Sequence, residues 1–294
     1  MLGEILTAIV TPFHDDGSMN LDVFRELAGF LVEHGSDGIV VAGTTGESPT
    51  LSDDEKLSLF AAAVETVGER ATVIAGTGTY DTRHSVRLTR QAHELGVDGV
   101  LVVAPYYNKP PQRGIVRHFE EIAAATDKPV IAYNIPGRVV VNIESATIAR
   151  LAEIANVAAV KQANDDLEQA RFIAQETRLD LYAGDDNLIF PFLQLGGLGG
   201  ICVHTHVWGP ETKEMIRRHR EGDVDGARAL NEEMAPAFDL LRIQTNPIPI
   251  KAALNLLGHA VGGHRLPLVA PTDDELRQVR SCLERAGMLA PVSA

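Results

Sequence analysis

Val157-Ala158-Ala159-Val160-Lys161-Gln162 reads as a β-strand covered on both faces, an almost unbroken apolar run that ends on an amine. A lysine in this position commonly ends its strand by reaching water, since lysine is rarely fully buried. The other reading is chemical. An unpaired ammonium group in apolar surroundings is costly, and burial favours the neutral amine, whose lone pair attacks carbonyl carbon. The rest of the chain decides between the two.

Working outward, short runs rich in Val and Ile recur at Ile5–Thr11, Gly38–Ala42, Ala71–Thr77, Gly99–Val103, Pro129–Ile135, Val157–Gln162, Asp180–Gly184 and Gly200–Val203. Amphipathic stretches near 22–34, 53–67, 82–95, 114–126, 144–154, 165–177, 186–195 and 210–220 fill the gaps. Eight strand-then-helix units predict an α/β fold, a parallel (β/α)8 TIM barrel over residues 1–222. A doubly wound sheet alternates in the same way, but the nearest approach to a dinucleotide fingerprint, Gly76-Thr-Gly78, lacks its third glycine. Ser52-Asp-Asp-Glu55 is a capping box for the second helix. The cluster Gly196-Gly-Leu-Gly-Gly200 precedes the eighth strand, so it reads as a turn on the face away from the expected site. After residue 222 a C-terminal helical region, 223–294, is expected to pack on the barrel as an appendage, with helices at 223–243, 249–257 and 273–286.

Composition narrows the function. The 294 residues carry 40 acidic and 26 basic side chains, a net charge of −14, which argues against a nucleic-acid partner. Cys202 and Cys282, the only cysteines, read as small core residues of a reduced compartment. Met1-Leu-Gly-Glu-Ile5 lacks the basic start and apolar core of a signal peptide, and no stretch approaches the ~20 apolar residues of a membrane span. A cytoplasmic protein with no membrane partner is expected.

Barrel enzymes gather their chemistry at the C-terminal ends of their strands, and those positions form a coherent set. Strand two is followed by Gly43-Thr44-Thr45-Gly46-Glu47, a glycine-bracketed turn suited to holding a carboxylate or simply to turning tightly. Strand four leads to Tyr106 and Tyr107, which packing alone would also accommodate. Strand five ends on Tyr133 and leads to Arg138, a phenol for proton transfer and a guanidinium for bidentate carboxylate binding. Strand six ends on Lys161, strand seven on Gly184-Asp185-Asp186 and strand eight on Val203. Together they suit a Schiff base between Lys161 and a 2-oxo acid, with the acid's carboxylate on Thr44 and Thr45. Tyr133 would move protons and Arg138 would hold a second carboxylate. Neither a metal nor an organic cofactor is called for.

The motifs GTTGE (43–47), PYYNKP (105–110), YNIPGR (133–138), VK (160–161) and NPIPIK (246–251) resemble those of the dihydrodipicolinate synthase (4-hydroxy-tetrahydrodipicolinate synthase) family. That family lies within the pyruvate-dependent class I aldolases and lyases, and the resemblance runs over essentially the whole chain. It implies condensation of pyruvate with aspartate 4-semialdehyde in lysine biosynthesis by way of diaminopimelate. It also implies a proton relay of Thr44, Tyr133 and Tyr107, with Tyr107 donated by a neighbouring subunit of a homotetramer built as a dimer of dimers. Thr45, Arg138, Gly184 and Val203 would contact substrate. The alternative within the superfamily is a related reaction on 2-keto-3-deoxy sugar acids or N-acetylneuraminate; those relatives typically lack an arginine after the Pro-Gly pair. The chain departs from the family pattern at Val139-Val140 and along Cys202–His206. It also has Tyr80 and His84 where lysine-inhibited members keep an asparagine and a glutamate, so lysine feedback is expected to be weak or absent.

Two readings of other classes compete. His204-x-His206 would put two imidazoles on one strand face, near Asp185, as in a zinc-dependent hydrolase. A sensor that binds a 2-oxo acid without turning it over is the other, and the full set of polar residues argues against it. Lys251 is a rival nucleophile, expected to be structural.

Overall fold

The structure, a computed structural model, describes residues 2–290. Eight parallel strands close into a barrel in sequential order: β1 (Ile5–Ala8), β2 (Gly38–Val41), β3 (Thr72–Gly76), β4 (Gly99–Val103), β5 (Val130–Asn134), β6 (Val157–Gln162), β7 (Asp180–Ala183) and β8 (Gly199–Cys202). Between them run α1 (Leu21–Glu33), α2 (Asp53–Val67), α3 (Thr82–Glu94), α4 (Gln112–Ala123), the single turn α5 (Pro136–Val139), α6 (Ser145–Ala152), α7 (Leu167–Glu176) and α8 (Ile189–Leu195). The helix α9 (Gly209–Arg220) completes the eighth unit, and α10 (Val224–Glu233), α11 (Ala235–Arg242), α12 (Ile248–Leu256) and α13 (Asp273–Arg285) follow.

All eight expected strands are present, and Val157–Gln162 matches to the residue. The first is shorter than expected. Ile9 and Val10 continue the apolar pattern, but the Val10 amide donates to the His206 ring (3.2 Å) instead of to a strand, so β1 stops at Ala8. The helix expected over 223–243 is two helices, because Pro236 has no amide hydrogen to donate and is tolerated only in a first turn; α11 restarts there. The predicted capping box on α2 forms, with Ser52 and Glu55 satisfying each other's backbone amides. The same Glu55 carboxylate grips Arg265 (2.6 and 2.9 Å), which ties α2 to the stretch between α12 and α13. Gly196 caps α8 at a φ of 100°, the turn that the glycine cluster predicted.

One irregularity decides the geometry of the site. Val130 pairs with Val157, but Ile131 pairs with Ala159, so Ala158 is bulged out of the β5–β6 ladder. Above the bulge Tyr133 lies opposite Lys161. In an unbroken register Tyr133 would face Val160, and Lys161 would face Asn134. A bulge re-aims every side chain beyond it, and here it brings the phenol and the amine to the same face.

Candidate active site

A cavity of about 430 Å³ opens at the C-terminal end of the barrel. Five strand ends contribute: Thr44 and Thr45 after β2, Tyr133 and Arg138 from β5 and α5, Lys161 from β6, Gly184 after β7 and Val203 after β8. Seven of the eight residues expected at the site therefore meet around one cavity. Any side chain at Gly184 would strike Ala163, since a β-carbon there would lie 2.7 Å from that residue's own.

Lys161 is 5% exposed, and its Nζ stands 4.2 Å from the centre of the Tyr133 ring, so the phenol and the amine share one end of the cavity. Among the described residues no carboxylate lies within ion-pair distance of it. The rival, Lys251, is in the opposite condition. Its Nζ donates to the Thr11 carbonyl (2.9 Å), to Glu47 Oε1 (3.0 Å) and to the Gly263 carbonyl, all in a fully buried setting. Those bonds occupy its three donors, which makes it a structural pin.

Lys251 nonetheless bears on the site, because its partner Glu47 closes the Thr44–Thr45 turn. Ala42 and Glu47 flank that turn at positive φ, 51° and 56°. Non-glycine residues hold such angles only where their surroundings enforce them. Here the Glu47 carboxylate is fixed by Lys251 and by the Arg265 amide (3.1 Å), and Thr11 donates to the Gly46 carbonyl (2.7 Å). Thr45 Oγ1 accepts from Asn246 Nδ2 (2.8 Å), across 201 positions of sequence.

On the other side, Arg138 projects from the one-turn helix α5, which Val140 ends at a φ of 67°. Its guanidinium reaches the Asn246 carbonyl (3.4 Å). A buried amide cluster fixes the backbone beneath it: Asn134 donates to Asn142 (2.7 Å) and Gln162 (3.0 Å) and accepts from the Ile143 amide (3.0 Å). The residues that follow Tyr133 and Lys161 in sequence are thus tied together under the cavity floor.

Tyr107 is the expected residue that the chain does not bring to the cavity. It is 90% exposed and sits at a φ of 70°. Its neighbour Tyr106 points inward instead, lining a second cavity of about 240 Å³ that also touches Thr44 and Tyr133. The Tyr106 ring packs edge-on against Tyr80 (5.3 Å); burial, then the nearby Tyr80, raises its hydroxyl pKa.

The histidine pair does not form the expected strand face. β8 ends at Cys202, and His204–His206 is a turn of 3-10 helix, so the two rings diverge. His206 donates from Nδ1 to the Val203 carbonyl (2.7 Å) and accepts from Val10 at Nε2, and burial lowers its pKa to about 4. His204 bonds Asp186 (2.7 Å) and Thr212 (2.8 Å). The three potential ligands that do converge among the described residues are Asp186, Cys202 and His204. Asp186 Oδ1 already takes the Val203 and His204 amides and the His204 ring. Burial, reinforced by the Asp186 charge, pushes the Cys202 thiol well above its ordinary pKa. A metal there would have to take a His204 nitrogen that already bonds Asp186 or Thr212 and a thiol that burial keeps protonated, so these residues do not suit one.

Sequence reasoning missed Asn246 and the wall that runs from Phe238 to it. Asn246 heads the NPIPIK motif, so a signal was present, but nothing in the spacing joins it to Thr45.

A closed parallel barrel with an amine, a phenol and a guanidinium around one C-terminal cavity defines a TIM-barrel enzyme. The chain belongs to the dihydrodipicolinate synthetase family, whose model matches residues 1–286. A relative from Moorella thermoacetica named 4-hydroxy-tetrahydrodipicolinate synthase is 51% identical, covering 98% of this chain and 99% of the relative. Among solved structures, dihydrodipicolinate synthase from Cyanidioschyzon merolae with lysine bound superposes with a TM-score of 0.96 at 43% identity, covering 98% of this chain and 99% of that one. The chloride-inhibited enzyme from Acinetobacter baumannii, complexed with pyruvate, gives 0.95 at 35% identity, covering 98% and 100%.

Proposed function

We propose that the chain is a 4-hydroxy-tetrahydrodipicolinate synthase, condensing pyruvate with aspartate 4-semialdehyde through a Schiff base on Lys161. The observation that carries this is the unpaired, buried Lys161 amine lying 4.2 Å from the Tyr133 ring. The amine attacks C2 of pyruvate, whose carboxylate sits on the Thr44–Thr45 turn. Loss of water gives an iminium, and loss of a C3 proton gives an enamine, with Tyr133 moving the protons. The enamine carbon then attacks the aldehyde of the second substrate, whose carboxylate pairs with Arg138. Within one copy the first half draws on Lys161, Tyr133, Thr44 and Thr45, and it calls for no cofactor.

Tyr107 belongs to the same proposal. Its exposure and left-handed backbone suit a side chain offered to the site of a second copy, in a dimer that pairs into a tetramer. Native mass spectrometry of wild type and Tyr107→Ala tests this. No helix among the described residues is long and apolar enough to cross a membrane; the cytoplasmic setting is part of the proposal and rests on the pathway that such an enzyme serves.

The test of the reaction is borohydride trapping with pyruvate on wild type and Lys161→Ala, followed by peptide mass spectrometry. The expected result is a reduced adduct on Lys161 in wild type and none in the variant, with turnover of aspartate 4-semialdehyde by wild type only. An unmodified wild-type lysine would overturn the proposal.

A further inference from the structure

The cavity contains an acid to which the steps above assign no task. Asp185 follows β7 and lines the cavity with Lys161, Arg138 and Asn246. Among the described residues nothing donates a hydrogen bond to its carboxylate, whereas its neighbour Asp186, which also lines the cavity, holds the Val203 and His204 amides and the His204 ring at Oδ1. The charged groups that act on it are the acids Asp186 and Asp165 and the cations Lys161 and Arg138. Burial and the Asp186 charge raise its pKa, while the two cations act against the rise.

The second substrate has three functional groups. Its aldehyde is consumed in the carbon–carbon bond and its carboxylate faces Arg138. The third, an α-ammonium, has no partner among the residues assigned so far, yet its nitrogen must close the ring and an ammonium has no lone pair to attack with.

We propose that Asp185 is the general base that deprotonates this ammonium and so releases the product from Lys161. The assignment rests on the synthase reading. Once the carbon–carbon bond has formed, the substrate is an open-chain iminium on Lys161. Asp185 removes one proton from the ammonium, and the freed amine attacks C2, forming the ring C–N bond. The ring nitrogen passes a proton to the lysine nitrogen. The C2–Nζ bond then breaks, its electron pair staying on Lys161, while the ring nitrogen's lone pair makes the C2=N bond. The ring iminium gives up its remaining N–H proton, and Asp185 its carboxyl proton, to water at the open mouth. Two protons leave and nothing is oxidised or reduced.

Asp185→Asn keeps the shape of the side chain and removes the base. Two acceptors separate the steps: aspartate 4-semialdehyde and 4-oxobutanoate, which has the aldehyde and carboxylate but no amine. With pyruvate and 4-oxobutanoate, borohydride trapping should give the same carbon–carbon adduct on Lys161 at similar rates in wild type and variant. With aspartate 4-semialdehyde, the variant should turn over ~10²–10³-fold more slowly and accumulate the open-chain adduct, with partial recovery in Asp185→Glu. Turnover of Asp185→Asn within about threefold of wild type overturns the assignment. So does an equal loss with 4-oxobutanoate, which would mean that Asp185 acts before the amine is involved. A wild-type enzyme that traps pyruvate but leaves aspartate 4-semialdehyde untouched would instead refute the synthase reading, and the assignment with it.

Discussion

Lys161 faces Tyr133 across β5 and β6 because Ala158 is bulged out of the ladder between them. The pair is thus set by backbone register, and the ring also packs under the amine. Tyr133→Phe keeps that ring and removes only the hydroxyl. The variant should still yield a pyruvate adduct at long trapping times, while kcat falls by ~10²–10³-fold. Stopped trapping time courses check this, and a kcat within about threefold of wild type would take Tyr133 out of proton transfer.

Asn246→Ala removes the hydrogen bond that orients Thr45 Oγ1. A bond of this kind is worth ~1 kcal/mol, so the KM for pyruvate should rise several-fold with kcat little changed. Steady-state kinetics with pyruvate varied decide it; an unchanged KM would show that the turn holds Thr45 without help.

Lys251 and Glu47 are a buried ion pair. Removing one member leaves the other charged and unpaired, at a cost of ~3–5 kcal/mol. Lys251→Met should therefore lower stability by about that much in urea unfolding at fixed protein concentration. The double variant Glu47→Gln/Lys251→Met should lose less than the two single losses combined. Strict additivity would show that the two charges do not depend on each other.

Burial lowers His118 to about 4, with Asp81 acting weakly the other way. A histidine depressed in the folded state binds its proton first in the unfolded chain. Stability is then full above ~6.5 and declines as pH falls from there to about 4. His118→Phe removes this liability and the unbonded Nε2. Thermal melts should find the variant gaining on wild type between pH 6 and pH 4, by up to roughly 3 kcal/mol at the acid end. An equal offset at every pH would point to packing alone.

His84 is already occupied: its Nε2 bonds the Asp53 carboxylate (2.7 and 3.0 Å), which Arg87 also holds (3.1 Å). A cationic amino acid arriving there meets an imidazole and an arginine around a single acid. Lysine at millimolar concentration should leave the initial rate nearly unchanged, and half-inhibition at sub-millimolar lysine would sink the expectation.

The barrel was legible because strands covered on both faces must be written as apolar runs, and eight of them leave a count. Lys161, Tyr133, Arg138 and the Thr44–Thr45 turn were legible because polar residues that end such runs have only the C-terminal mouth to enter. The bulge at Ala158 was not, since Val-Ala-Ala-Val fits a regular strand equally well. His204-x-His206 misled for a related reason: period-two spacing implies a shared face only while the strand continues, and β8 stops at Cys202. Asn246 escaped because a contact across 201 positions leaves no local periodicity.

The bond between Thr45 and Asn246 also has a consequence for the timing of synthesis. One wall of the cavity is translated early, and the other follows only after nearly the whole barrel has left the ribosome. A nascent chain can thus own its lysine, its phenol and a finished stretch of barrel while the mouth still lacks a side. A partly made molecule therefore holds its amine in a cavity still open on the Phe238–Asn246 side, and the enclosure is completed only when the polypeptide is close to release.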